Sequence, residues 1–106
     1  MIITIFLFQF CNEFVWFWEM AYHYVMSKIV VVDDEKMVTS AFKALFKVEG
    51  YSDVHLFNNP KEAVEFLKSE TPDLIISDFI MPEMNGLEFL TEAKKLHPEV
   101  SMILLT

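Results

Sequence analysis

Aspartate residues end two short apolar runs of this sequence, and they are the residues best suited to do chemistry. The first run, Leu-Ile-Ile-Ser-Asp, ends at Asp78 and is followed by a stretch containing Pro82, Asn85 and Gly86. Such a run is typical of a strand buried on both faces, and the residues after it are typical of a loop. This strand would hold Asp78 at the carboxyl edge of a sheet, where open α/β sheets bind ligands. There Asp78 could act as a nucleophile or a metal ligand, although it could also simply turn or cap the chain.

The second run reads Lys-Ile-Val-Val-Val-Asp-Asp-Glu and places Asp33 and Asp34 just after a strand pattern. In a parallel sheet both strands end at the same edge, so Asp33, Asp34 and Asp78 can converge there. Three adjacent carboxylates repel one another unless a cation or a proton neutralises them. An all-oxygen site without histidine or cysteine suits Mg²⁺. The alternative is that the pair only provides negative charge at the start of the following helix.

Strand and helix patterns alternate along the rest of the chain. Strands are predicted over residues 29–32, 53–57, 74–76 and 100–105, and helices over residues 35–48, from Pro60, and over residues 85–96. This alternation indicates an α/β fold whose parallel strands are joined by right-handed crossovers. In the first helix, apolar residues at helical spacing predict the inward face. They are Met37, Ala41, Ala44, Leu45 and Val48, with Phe42 and Phe46 widening the face.

Residues 28–106 resemble the receiver domain of bacterial two-component response regulators. The matching segments are Val-Val-Val-Asp-Asp-Glu, then Asp-Phe-Ile-Met-Pro-Glu-Met-Asn-Gly, then the final Met-Ile-Leu-Leu-Thr, in that order. The resemblance implies a flavodoxin-like, doubly wound parallel sheet with strand order 2-1-3-4 and three helices. Because the sequence stops after the fourth strand, we expect residues 27–106 to form a partial receiver domain of marginal stability.

The resemblance also implies a role for each site residue. Asp78 would accept a phosphoryl group from a sensor histidine kinase and contribute to Mg²⁺ binding. Asp34 would bind Mg²⁺ directly, Asp33 mainly through water, and Ile80 through its backbone carbonyl. Thr106 matches the hydroxyl residue that meets the phosphoryl group in the active state. The lysine that ends the fifth strand in this family has no counterpart, since the sequence ends at Thr106.

Two other functions fit parts of the pattern. A Mg²⁺-dependent phosphohydrolase with an aspartyl nucleophile generally needs a second acid two residues later, but residue 80 is isoleucine and only Asp33 has an acid at that offset. A degenerate interaction module that is not phosphorylated is the other alternative, which the missing lysine favours and the acidic residues with Thr106 disfavour. We expect a signalling domain that is not an enzyme. At most it catalyses its own phosphorylation and dephosphorylation.

Charge and composition restrict the partners. The net charge of −8 makes direct contact with nucleic acid unfavourable, so the expected partners are the kinase and an output domain or partner protein. Cys11, the only cysteine, excludes an intrachain disulfide and fits a reducing, cytoplasmic location. The histidines, His23, His55 and His97, lack metal-ligand spacing and are interpreted as structural or surface residues.

Residues 1–26 differ from the rest of the chain because they are apolar and aromatic and contain no lysine or arginine. The segment is long enough to span a bilayer, but Glu13 and Glu19 would make its insertion costly. It also lacks the cationic start and the cleavage site of a signal peptide. We expect an upstream extension that is not part of the functional domain. A membrane anchor is the alternative, and it is the only route by which a membrane would become a partner.

Overall fold

The computed structural model describes residues 27–106, in which four strands alternate with three helices. The elements are β1 (Lys28–Val32), α1 (Lys36–Val48), β2 (Asp53–Phe57), α2 (Pro60–Ser69), β3 (Leu74–Asp78), α3 (Gly86–Leu96) and β4 (Ser101–Leu105). The predicted α/β alternation is confirmed. The element boundaries agree with the sequence patterns to within a few residues.

The four strands form one parallel sheet in the order β2-β1-β3-β4, which confirms the predicted order. The pairing aligns the carboxyl ends of neighbouring strands: Val32 lies beside Ser77, and Asp78 lies beside Leu105. The residues that follow β1, β3 and β4 therefore leave the sheet at the same edge. This edge is where the sequence predicted a site.

Local signals set the ends of the helices. Asn59 begins α2, where its Oδ1 accepts the Lys61 N–H at 2.9 Å and Pro60 occupies the first turn. Asn85 begins α3 in the same way and accepts the Glu88 N–H at 2.9 Å. Past the end of α1, Gly50 adopts a φ of +95°, which glycine tolerates better than other residues. Asparagine before a helix and glycine after it are typical signals of helix ends.

The sheet separates two apolar layers. On one side, residues of β1 and β3 pack against α2 and α3; this layer consists of Val30, Val32, Ala63, Leu67, Ile75, Met81, Phe89 and Ala93. On the other side, the alternate residues of the same strands pack against α1; this layer consists of Ile29, Val31, Phe42, Phe46 and Ile76. Burial on both faces explains why β1 and β3 are continuously apolar rather than alternating.

The predicted inward face of α1 is correct for Phe42 and Phe46 but wrong for Met37, Ala41, Ala44, Leu45 and Val48, which are exposed. Met37 and Val48 are 84% and 83% exposed, whereas Thr39, Phe42 and Phe46 are buried. The apolar arc of the helix is wider than its contact with the sheet, and the part that carries the aromatic rings faces the sheet because it removes more apolar area from water. Thr39 can be buried because its hydroxyl donates to the Lys36 carbonyl at 3.1 Å and accepts from the Asn58 Nδ2 at 3.1 Å.

The two histidines in the described part of the chain have structural partners. His55 Nε2 lies 2.6 Å from Asp53 Oδ1, and its ring packs against Phe66. His97 Nε2 lies 2.6 Å from the Leu67 carbonyl oxygen. Residues 1–26, which include Cys11 and His23, lie outside the described residues. Within residues 27–106, no helix has the length and apolar character needed to cross a membrane.

The reassigned face of α1 yields a stability prediction. Replacing Phe46, which is fully buried, by alanine should cost about 3–5 kcal/mol because it removes a ring from the core and leaves a cavity. Replacing the exposed Met37 by alanine should change stability by less than about 0.5 kcal/mol. Urea denaturation followed by circular dichroism measures both, and similar losses in the two variants would contradict the assignment.

Candidate functional site

Asp78 is the last residue of β3 and projects from a strand whose preceding residues are buried. Ile75, Ile76 and Ser77 have no exposed surface, whereas Asp78 is half-buried. Its Oδ1 accepts the Phe79 N–H at 2.9 Å. The same N–H also donates to the Leu105 carbonyl at 3.0 Å. Asp78 is thus fixed by its own strand and by the neighbouring strand, while its side chain still reaches solvent.

Asp33 follows β1 and is only 6% exposed. Its Oδ1 accepts the Glu35 N–H at 2.9 Å. Its own N–H donates to the Phe57 carbonyl at 3.0 Å, and its carbonyl accepts from Asn58 Nδ2 at 2.8 Å. Asp33 is therefore fixed at both backbone groups and at one carboxylate oxygen. Asp34, the next residue, is exposed.

The structure brings Asp33, Asp34 and Asp78 together. One carboxylate oxygen from each lies within 4.8 Å of the others. Two oxygens on opposite sides of a Mg²⁺ ion are about 4.2 Å apart, since each bond is about 2.1 Å, so a small adjustment would let all three bind one ion. Asp33 is buried and Asp34 is exposed, so one side of the cluster is open to solvent. Water ligands, which Mg²⁺ usually retains, can approach from that side. The donor set and its spacing therefore fit this metal.

The electrostatics of the cluster also favour a cation. Burial raises the pKa of Asp33, and the charges of Asp78 and Asp34 raise it further. The hydrogen bond from the Glu35 N–H acts in the opposite direction but does not cancel these effects. No ion pair within residues 27–106 involves any of the three aspartates. A divalent ion or a proton is therefore needed to relieve the repulsion among the three carboxylates.

The other predicted site residues lie at the same edge of the sheet. Thr106 directly follows Leu105, which pairs with Asp78, and it is exposed. Ile80 lies two residues after Asp78 in the loop that leads to α3, and its side chain is 77% exposed. An exposed isoleucine in this loop contributes little to the core.

Gly86 supports the site in a way that sequence reasoning missed. A Cβ added at Gly86 would lie 2.1 Å from the Asp78 carbonyl oxygen and 2.7 Å from Leu104 Cδ1. The Gly86 N–H also donates to the Phe79 carbonyl at 2.8 Å. The loop after β3 therefore folds back onto the strand end, and only glycine leaves enough space. A glycine at the second position of the predicted helix over residues 85–96, directly after the loop, was the available signal.

Asn58 is the second residue that sequence reasoning missed. Its Nδ2 joins the carbonyl of Asp33 to the hydroxyl of Thr39 at 2.8 and 3.1 Å, and so ties the end of β1 to α1. The sequence offers no signal for this contact, since Asn58 is 25 residues from Asp33 and the neighbouring Asn59 has the obvious capping role.

The acidic cluster at the carboxyl edge of a parallel sheet places this chain among the doubly wound α/β domains, which bind ligands at that edge. Comparison with known proteins identifies the family. The model of the response regulator receiver domain matches residues 29–106. This chain therefore belongs to the response regulator receiver domain family, whose members act in two-component signalling.

Individual relatives agree with this assignment. A Pseudomonas aeruginosa protein named for transcriptional regulation is 33% identical over 81 residues, which are 76% of this chain and 39% of that protein. The response regulator TrrA of Thermotoga maritima, solved in complex with Mg²⁺-BeF, is 37% identical with a TM-score of 0.71, over 76% of this chain and 70% of that one. A receiver domain protein from Clostridium thermocellum is 30% identical with a TM-score of 0.71, over 76% and 65%. The chain thus spans well under half of the curated relative and about two thirds of the solved domains.

The close approach at Gly86 predicts that Gly86→Ala disturbs the site. The variant should lose at least about 2 kcal/mol of stability, because the Asp78 carbonyl must move away from the added methyl group. Gly50→Ala is the matched control: its cost of about 1 kcal/mol arises from the positive φ alone, since nothing lies within 4 Å. Amide NMR shifts of Asp78 and Phe79 should change only in Gly86→Ala, and unchanged shifts there would contradict the role of Gly86.

The crowded carboxylates predict that Asp33→Asn stabilises the metal-free protein by on the order of 1 kcal/mol. The folded-state pKa of Asp33 lies above its ordinary value of 3.8, so ionisation of Asp33 as the pH rises through that range destabilises the fold. The advantage of the variant should therefore be absent below pH 3.8 and grow above it. Urea denaturation in EDTA across this range measures it, with Asp73→Asn at the opposite end of β3 as control. A variant less stable than the wild type at neutral pH would contradict the prediction.

Proposed function

We propose that this chain is a phosphoacceptor module of a two-component system, in which Asp78 takes a phosphoryl group from a sensor histidine kinase with the help of Mg²⁺. The observation that carries the proposal is the convergence of three carboxylates within 4.8 Å at the sheet edge, with Asp78 accessible to solvent. A purely structural role would not explain why mutually repelling groups are held together. Membership of the receiver family and the Mg²⁺-BeF complex of a relative point in the same direction.

Asp34 would bind Mg²⁺ directly, Asp33 mainly through water, and Asp78 would contribute to the site. The carbonyl of Ile80 is the further ligand expected from the family resemblance. When bound, Mg²⁺ would neutralise the carboxylates and the oxygens of the incoming phosphoryl group. The buried Asp33 is fixed by hydrogen bonds at both its backbone groups and one carboxylate oxygen. Such a rigid ligand positions the ion without a loss of side-chain entropy on binding.

Asp78 has one oxygen free for the reaction. The Phe79 N–H holds Oδ1, so Oδ2 is the oxygen available to attack the phosphorus atom in line with the bond to the kinase imidazole. The O–P bond forms as the P–N bond breaks, and the imidazole leaves with the electron pair of that bond. The product is an aspartyl phosphate, a covalent intermediate class in which a carboxylate serves as nucleophile.

Thr106 would respond to the new charge. Its backbone continues from Leu105, whose carbonyl accepts the Phe79 N–H beside Asp78. The Thr106 hydroxyl can donate a hydrogen bond to a phosphoryl oxygen on Asp78 and so draw the end of β4 toward the site. A movement of this kind is how added phosphate charge biases a two-state surface.

The proposed setting is the cytoplasm, with a histidine kinase as donor and an output domain or partner protein as receiver of the signal. In this proposal the chain has no external substrate. Its only chemistry is its own phosphorylation and dephosphorylation. The net charge of −8 argues against direct DNA contact by this chain. Any effect on transcription would therefore pass through another domain or protein.

Phosphorylation at Asp78 is tested with the full-length protein and a small phosphodonor, acetyl phosphate. The wild type should acquire a hydroxylamine-sensitive label that requires Mg²⁺, and Asp78→Asn should lose it. Asp73→Asn is the control, because Asp73 lies at the other end of β3 and asparagine retains an acceptor for the Lys28 N–H. Labelling that persists in Asp78→Asn would remove Asp78 from this role. Steady turnover of an aryl phosphate would favour the phosphohydrolase alternative.

A further inference from the structure

Asp33 and Asp34 lie in a short connection between a strand and a helix. β1 ends at Val32 and α1 begins at Lys36, so residues 33–35 belong to neither element. Connections of this kind are ordinarily more mobile than the elements they join. The repulsion among the aspartate carboxylates would also turn these side chains away from the third acid of the site. The convergence of the three acids therefore requires contacts that hold this connection in place.

Two consecutive residues at the end of β2 hold both backbone groups of Asp33. The Phe57 carbonyl accepts the Asp33 N–H at 3.0 Å, and Asn58 Nδ2 donates to the Asp33 carbonyl at 2.8 Å. That carbonyl belongs to the peptide group that joins Asp33 to Asp34. Because a peptide group is planar, a partner that holds its carbonyl also sets the direction in which the Asp34 Cα lies. Asn58 thus acts on Asp34 through the backbone.

The two contacts of Asn58 require a side-chain amide. Nδ2 also donates to Thr39 Oγ1 at 3.1 Å, and the single hydroxyl proton of Thr39 is directed to the Lys36 carbonyl at 3.1 Å. Both partners of Nδ2 are therefore acceptors. One amide nitrogen supplies two N–H donors, whereas a serine or threonine hydroxyl supplies one and an ionised aspartate supplies none. A serine or an aspartate at residue 58 could not make both bonds.

Thr39 gives Asn58 a firm anchor. It is 2% exposed and is one of the buried residues of α1, while Asn58 itself is half-buried. A donor whose rotamer is fixed by a buried partner keeps its direction before any ion binds. Three hydrogen bonds hold Asp33 at its backbone groups and at Oδ1, and the Asn58 bond is the one among them that a side-chain substitution removes without changing an acid.

We propose that Asn58 is a positioning residue of the Mg²⁺ site, which fixes the peptide between Asp33 and Asp34 so that their carboxylates meet Asp78 around one ion. This inference rests on the proposed function, since Mg²⁺ is the ion that the site is proposed to bind. In the absence of the Asn58 amide, ion binding would first have to order residues 33–35 against the repulsion of their carboxylates. The free energy needed for that ordering would appear as a weaker affinity for Mg²⁺.

Isothermal titration calorimetry with MgCl₂ on the full-length protein measures this affinity without any phosphodonor. Asn58→Leu removes both donors and preserves most of the side-chain volume. Its Kd for Mg²⁺ should rise about tenfold, because the loss of a group that orients a metal ligand typically weakens affinity by about 10-fold to 100-fold. A Kd equal to that of the wild type would overturn the role of Asn58.

Asn59→Ala is the matched control, because Asn59 is the adjacent asparagine and its side chain caps a helix. Its Oδ1 accepts the Lys61 N–H at 2.9 Å at the start of α2. Loss of this cap destabilises the fold but leaves both backbone bonds of Asp33 intact. The variant should therefore unfold at a lower urea concentration and still bind Mg²⁺ with the wild-type Kd. An equal rise of Kd in both variants would show that lost stability alone weakens the site, and it would overturn the proposal.

Hydrogen exchange in the wild type gives a test that does not depend on whether Asn58→Leu folds. In the metal-free protein, both side-chain amide protons of Asn58 should exchange with water more slowly than those of Asn59, since both are donated to protein acceptors. Saturation with Mg²⁺ should slow their exchange further, because the ion holds the segment to which Asn58 is bound. Exchange as fast as that of Asn59, or exchange that Mg²⁺ leaves unchanged, would contradict the positioning role.

Failure of the proposed function has a different signature. A wild-type protein without saturable Mg²⁺ binding would overturn the proposed function together with the role of Asn58. A wild-type protein that binds Mg²⁺, with Asn58→Leu binding it equally well, would overturn the role of Asn58 alone.

Discussion

The mutual repulsion of three carboxylates is the constraint on which the rest of this structure depends. Asp33, Asp34 and Asp78 are held within 4.8 Å by two parallel strands whose carboxyl ends are in register. Left free in a flexible chain, such groups would separate. The stiffness that prevents this comes from the buried, continuously apolar strands β1 and β3. The same burial that stabilises the sheet thus maintains a crowding of carboxylates that is unfavourable unless a cation or a proton neutralises it.

Much of the architecture could be predicted because its signals are local. The apolar runs predict β1 and β3, and Asn59, Asn85 and Gly50 mark helix ends through their own hydrogen bonds or φ angles. The strand order came from the family resemblance rather than from the residues alone. Convergence of the aspartates follows once the sheet is known to be parallel, since each aspartate directly follows a strand.

The features that escaped prediction depend on contacts between distant residues. Helical spacing predicted one wide apolar face on α1, but only the sheet decides that Phe42 and Phe46 face it and that Met37 does not. Asn58 and Asp33 are joined by a hydrogen bond across 25 residues. The need for glycine at residue 86 arises from the Asp78 carbonyl and Leu104, which the sequence does not place beside it.

The hydrogen bonds around Phe79 connect the site to the edge of the sheet. One N–H serves both Asp78 Oδ1 and the Leu105 carbonyl, and two acceptors of a shared donor compete for it. A phosphoryl group on Asp78 changes the charge on one of these acceptors and therefore the balance between them. Because Thr106 directly follows Leu105, a change in the hydrogen bond at the Leu105 carbonyl would shift the position of Thr106. Its hydroxyl is the group expected to meet the phosphoryl group.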